Sequence, residues 1–251
     1  MSIVMDKYDS ADDDHHLRPF SWVFGFSQFV GALAVILVAI WMGRFDGGFA
    51  WQDRPEQEFH YHPLFMVIGM IFLYGEAILV YRVFRHERKI VTKTAHMVMN
   101  AVVFIFFVVA LKAVFDSHNL RAEPLPNMHT LHSWIGLGTV LLYCFQFLFG
   151  FICFFYPTIT LPLRQWYMPI HRYFGIGIFI MACTAALMGI TEKAHRHTGC
   201  DGSICPPEVL ANVLGVCVVL YGFAVVYLVV NPKFRRRALP EEESHHQLVP
   251  D

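Results

Sequence analysis

Four of the fourteen histidines, His62, His96, His132 and His171, each open a separate apolar segment, and the four segments follow one another along the chain. Imidazole is a ligand for iron, zinc and copper, and two imidazoles facing each other from two helices supply both axial positions of a haem iron. If consecutive segments cross a membrane in alternating directions, the second and fourth begin at one face and the third and fifth at the other. His62 then meets His132, and His96 meets His171. A lone histidine at a helix end is more often an interfacial polar residue. Four at the same end of four consecutive segments are not explained that way, because ionisable groups within spans are rare and usually functional. The expectation is two haem b groups, one near each face, each held by a histidine pair, and a chain that carries electrons across a membrane. The absence of a CxxCH motif makes attachment non-covalent. Gly136 and Gly175 follow His132 and His171 by four positions, a spacing that puts a missing side chain on the ligand's helical face, where a flat macrocycle can approach.

These histidines need a membrane to position them, and the composition supplies one. The 251 residues are 56% hydrophobic and only 16% charged, with a mean hydropathy of +0.46, well outside the range of a soluble domain of this length. Six apolar stretches, 21–42, 63–84, 95–116, 131–155, 171–191 and 209–230, are long enough to cross about 30 Å of hydrocarbon as helices. The predicted fold is an all-α membrane protein of six transmembrane helices, with helices 2 to 5 forming a central four-helix bundle around both haems. Its single domain covers 21–230, between an N-terminal tail (1–20) and a C-terminal tail (231–251).

Thirteen Lys and Arg residues lie on the side that holds both termini, against six on the other. The positive-inside rule therefore places both termini in the cytoplasm, His96 and His171 near that face, and His62 and His132 near the outer one. The first twenty residues are polar and acidic, with Asp6, Asp9, Asp12, Asp13 and Asp14, so no cleavable signal is expected. Cys144, Cys153, Cys183 and Cys217 fall in spans as small apolar residues, whereas Cys200 and Cys205 share the loop before the last span, where a disulfide is feasible. A net charge of -1 gives no reason to expect a nucleic-acid partner. The competing reading is a histidine-lined metal or proton transporter. It predicts acidic co-ligands within the spans, where only Glu76 lies well inside.

Several stretches taken together resemble the eukaryotic cytochrome b561 family: FHYHPLFMVIGMIFLYGEAILVYRVFR (59 to 85), KTAHMVMNAV (93 to 102), LKAVFDSHN (111 to 119), LHSWIG (131 to 136), LRQWYMPIH (163 to 171), TAALMGITEK (184 to 193) and PPEVLANVLG (206 to 215). The resemblance covers roughly residues 20 to 233. It implies a dimeric, ascorbate-dependent reductase of a vesicle, lysosomal or plasma membrane. It implies that Arg82, Lys89, Lys93 and Arg164 surround the cytoplasmic ascorbate, with Lys93 placed to accept its proton. It implies that His118 stands beside an outer acceptor, either monodehydroascorbate or a ferric chelate. Where the family commonly has a tyrosine before its LHSW motif, this chain has His129. An imidazole there could bind a metal, so the acceptor stays open between the two.

Overall fold

The structure is a computed structural model describing residues 2–195 and 205–236, with side chains from residue 18 onward. Six helices are long and apolar enough to cross a membrane: α1 (Arg18–Phe45), α2 (Pro55–Val83), α3 (Lys89–Asn119), α4 (Leu131–Phe154), α5 (Leu161–His195) and α6 (Pro206–Val230). Among the described residues there is no strand. Such helices are apolar on nearly every side. Phe29, Ile105, Phe145 and Phe223 remain exposed on the outside of the bundle, a surface suited to lipid rather than water.

The helices overshoot the apolar stretches. The α1 helix reaches back to Ser2. The α3 helix begins at Lys89 and α5 at Leu161, so His96 and His171 sit two to three turns inside their helices rather than at the ends. Charged and polar turns at a membrane surface continue a helix at little cost, because water satisfies whatever the lipid cannot. The α4 start is fixed locally. The Thr130 side chain accepts from the Ser133 backbone N–H at 3.3 Å while the Ser133 hydroxyl faces the Thr130 N–H at 3.2 Å, a capping box that puts His132 in the first turn. The α2 helix is irregular. It passes through a π-helical segment, Val67–Leu73, whose Gly69 lies so close to α3 that a Cβ there would come 2.7 Å from the Phe106 Cβ.

Packing builds the expected core of four. The α2 helix packs on α3 and α5, and α4 packs on α5 and more lightly on α3; α1 and α6 lie together against α2, and α6 also meets α5. Tyr74, Phe107, Tyr143, Phe179 and Tyr221 fill the centre and are almost wholly buried. The end at which α1, α3 and α5 begin is called the inner end below, and the opposite one the outer end. The inner end is closed by Phe20 against Phe234 and by the Arg85 guanidinium over the Phe20 ring. Glu76, deep in α2, accepts hydrogen bonds from Gln28 at 2.7 Å and Tyr221 at 3.0 Å. Cys205 is disulfide-bonded, and its expected partner, Cys200, lies outside the described residues, while the four cysteines of the spans are free thiols.

Candidate functional site

Both expected histidine pairs form. The His62 and His132 ring centroids are 6.1 Å apart with planes at 89°, and those of His96 and His171 are 6.2 Å apart at 73°. A metal bound by one nitrogen of each ring at about 2 Å puts two such centroids about 6 Å apart, so both spacings suit one shared iron. Three of the rings are oriented by a backbone carbonyl on a neighbouring helix. His62 Nδ1 donates to Ala110 O at 3.2 Å, His96 Nδ1 to Ala77 O at 2.7 Å and His132 Nδ1 to Ala185 O at 2.8 Å. Donation from Nδ1 selects the tautomer that leaves Nε2 as the metal-binding nitrogen. His171 differs, because its Nδ1 is buried without a partner among the described residues. Its backbone carbonyl instead accepts from Gln146 of α4 at 2.6 Å, and the Phe154 ring packs against it at 5.2 Å.

Two further glycines make room for the rings themselves. A Cβ on Gly189 would lie 2.8 Å from His132, and one on Gly150 would lie 2.9 Å from His171. At Gly136 a Cβ would meet nothing within 4 Å, and at Gly175 it would meet only Gln146 at 3.5 Å. The spacing of four tracks a ligand's own helix, whereas each ring leans onto the helix beside it.

At the outer end a cavity of about 530 Å³ holds the His62/His132 pair and extends to His118 and His129, a size suited to a cofactor or small-molecule site. His118 Nδ1 bonds Asn127 Oδ1 at 2.9 Å, and the exposed His129 bonds Pro126 O at 3.1 Å through Nδ1. The Trp41 indole N–H lies in the wall, buried and without a partner among the described residues, as a donor awaiting a bound group would. A cluster that sequence reasoning missed stands beside this cavity. Asp46, in the loop after α1, lies 2.5 Å from Lys193 Nζ of α5 and 2.7 Å from His60 Nε2, and His60 also hydrogen-bonds the Gly48 carbonyl. Burial opposes the charge on Asp46, but the hydrogen bonds and charges of His60 and Lys193 outweigh it and hold the carboxyl below its usual 3.8.

At the inner end the expected basic residues divide into two groups. Lys93 feels the charges of Arg164 and Lys89, donates to Phe154 O at 3.2 Å and lies over the Phe155 ring at 5.5 Å. Arg164 Nε is buried without a partner among the described residues. The Phe154 that accepts from Lys93 also packs on His171, so this group borders the inner pair. Arg82 points elsewhere. It donates to Val229 O at the end of α6, with Arg172 and Arg235 as its charged neighbours.

Among the described residues no three or more His, Cys, Asp or Glu side chains converge as a metal site, and Glu76 is engaged by Gln28 and Tyr221. Nothing here supports the transporter reading.

The eukaryotic cytochrome b561 family model matches residues 61–197. A Caenorhabditis elegans homolog of the transmembrane ascorbate-dependent reductase CYB561 is 46% identical, over 99% of this chain and 97% of its own length. The human transmembrane ascorbate-dependent reductase CYB561 is 40% identical over 87% of this chain and 86% of its own. The rat plasma membrane ascorbate-dependent reductase CYBRD1 is 37% identical over 84% and 74%. The matched region contains both histidine pairs, and with six membrane-length helices around them the chain belongs to the eukaryotic cytochrome b561 family, a family that implies haem b.

Proposed function

We propose that this multi-pass membrane protein is an ascorbate-dependent oxidoreductase that carries single electrons from cytoplasmic ascorbate to an acceptor on the other side. The observation that carries the reading is the presence of two histidine pairs, at opposite ends of one bundle, each at a spacing that suits one metal. His96 with His171 and His62 with His132 would each hold one haem b, which when bound would supply a one-electron carrier.

The chain's own residues set the rest. The inner end is cytoplasmic by its excess of Lys and Arg, so both termini lie there. Ascorbate is an anion at neutral pH, and the cations of Lys93 and Arg164, with Lys89 near them, draw it to the His96/His171 pair. The unpartnered Arg164 Nε is a donor suited to an oxygen of that anion. The proton that oxidised ascorbate loses passes to a nearby water, since Lys93 as a cation has no lone pair to accept it. Arg82 contributes positive charge to the same face. At the outer end His118 and His129 line the mouth of the cavity that holds the other pair, and would contact monodehydroascorbate or a ferric chelate there. The protein works as a homodimer in a vesicle, lysosomal or plasma membrane.

The test uses sealed vesicles containing the full-length protein and loaded with ascorbate, with ferric chelate and monodehydroascorbate offered outside in turn. Protein-dependent reduction of at least one acceptor is expected. If neither is reduced while the internal ascorbate stays intact, the reading fails.

A further inference from the structure

The bundle interior beside the inner histidine pair is not wholly apolar. Asn100 lies one turn beyond His96 on α3 and is 8% exposed, while Tyr143 of α4 and Tyr74 of α2 are 1% and 3% exposed. Asn100 Nδ2 is 2.7 Å from the His96 carbonyl oxygen and 3.5 Å from His96 Nε2. The Tyr143 hydroxyl is 2.8 Å from Asn100 Oδ1 and 2.9 Å from the Asn100 carbonyl oxygen. These contacts determine which way the amide faces. A carbonyl oxygen only accepts, so the atom against His96 O is the nitrogen, and the side-chain oxygen faces Tyr143, which donates.

Tyr143 is itself held. Tyr74 and Phe107 pack edge-on against its ring at 5.0 and 5.5 Å, and Tyr74 donates to Gly175 O of α5 at 2.9 Å. The amide of Asn100 is thus fixed from four helices. A polar network at this depth is costly unless every member is satisfied, and a leucine of similar volume would fill the same space without it.

We infer that Asn100, locked by Tyr143, is a positioning residue that holds an N–H dipole beside the metal-binding nitrogen of His96 and so raises the tendency of the inner centre to accept an electron. The inference rests on the reading that His96 and His171 hold haem b. Reduction makes the centre more negative by one charge, and a fixed positive dipole end beside it stabilises the reduced form without having to reorient. Turning the amide over would set its oxygen against the His96 carbonyl oxygen and abandon the Tyr143 hydrogen bond. The dipole therefore has one favourable direction.

The experiment is an equilibrium redox titration of the visible haem bands of the purified full-length protein, with low-spin ferric spectra and haem-to-protein ratios recorded in parallel. Asn100→Leu is expected to keep two haems and to make one of them about tenfold harder to reduce, a shift of about 59 mV for one electron. Tyr143→Phe, which removes one oxygen atom, is expected to shift the same haem in the same direction by less. Repeating both in a His132→Ala background, which isolates the inner centre, assigns the shift. Two haems with an unchanged inner potential in Asn100→Leu would overturn the inference and leave the haem reading intact. If Asn100→Leu does not fold, Tyr143→Phe decides, and an unshifted inner potential there overturns it equally. A parent protein without two low-spin haems would overturn the underlying reading, and the inference with it.

Discussion

A histidine inside lipid serves as a ligand only if one of its nitrogens is engaged and the other is aimed, and here backbone carbonyls of neighbouring helices do the engaging for three of four rings. Replacing His96 or His171 by Ala is expected to abolish the inner haem alone, and His62→Ala or His132→Ala the outer one alone, since Ala offers no substitute ligand. Haem-to-protein ratios check this; two low-spin haems in all four single variants would refute the pairing. The glycines give a sharper, steric version. A methyl added at Gly189 meets the His132 ring at 2.8 Å and one added at Gly150 meets the His171 ring at 2.9 Å. Overpacking of this kind costs about 1–3 kcal/mol, so Gly189→Ala is expected to weaken retention of the outer haem only, and Gly150→Ala the inner one only, as measured by haem loss to a scavenger. The same substitution at Gly25 of α1, where a Cβ meets nothing and which lies outside the lining of the outer cavity, is the control.

Among the elements, the connection between α1 and α2 is what the apolar pattern leaves least constrained, and Asp46 is what fastens it. Through Lys193 it ties this loop to the outer end of α5, and through His60 to the start of α2. Asp46→Asn removes a carboxylate that two donors share, and a loss of about 1 to 2 kcal/mol is expected after allowing for solvent screening of a partly exposed group. Its pH dependence has a definite sign. The folded carboxyl titrates below its usual 3.8, so the stabilisation is complete above that value and is lost only as pH falls through the lowered one. Thermal melts between about pH 5 and pH 7 are therefore expected to show a constant gap between parent and Asp46→Asn, closing only in stronger acid. A gap that stays constant in stronger acid as well would mean that the carboxyl is not depressed.

The whole molecule has two chemically different ends, and electron flow tests them separately. Lys93→Ala and Arg164→Ala are expected to slow reduction by ascorbate far more than reduction by dithionite, by about 1–3 kcal/mol for a lost charged hydrogen bond, with haem content unchanged. Equal slowing with both reductants would assign these residues to the fold. At the other end, His118→Ala or His129→Ala is expected to lower ferric-chelate reduction, and external zinc to inhibit it by occupying the same imidazoles. His129→Tyr is expected to shift preference towards monodehydroascorbate. An unchanged preference in that variant, together with indifference of the parent to zinc, would leave His129 as a solvated loop residue.

The six helices, the central four among them and the partners of each histidine pair were all legible in the sequence. Lipid admits few backbone solutions: a span needs about 20 apolar residues in a helix, and consecutive spans must alternate in direction. Once His62, His96, His132 and His171 each opened a segment, their pairing followed from parity alone, with no knowledge of side-chain contacts. What parity cannot supply is rotation, meaning which face of each helix turns to which neighbour. For that reason Gly150 and Gly189, on which the rings of the adjacent helix come to rest, carried no signal in spacing along the ligand's own helix. For the same reason Asn100 and Tyr143 carried no signal in the sequence, nor did the convergence of Asp46, His60 and Lys193, because each contact joins helices or loops far apart in the chain. Arg82 shows the same limit from the other side: its place in the sequence put it on the charged inner end, but only the packing of α2 against α6 turned its guanidinium to Val229. Hydrophobic periodicity sets where a helix lies in the membrane, and only the close fit of side chains between helices sets its azimuth.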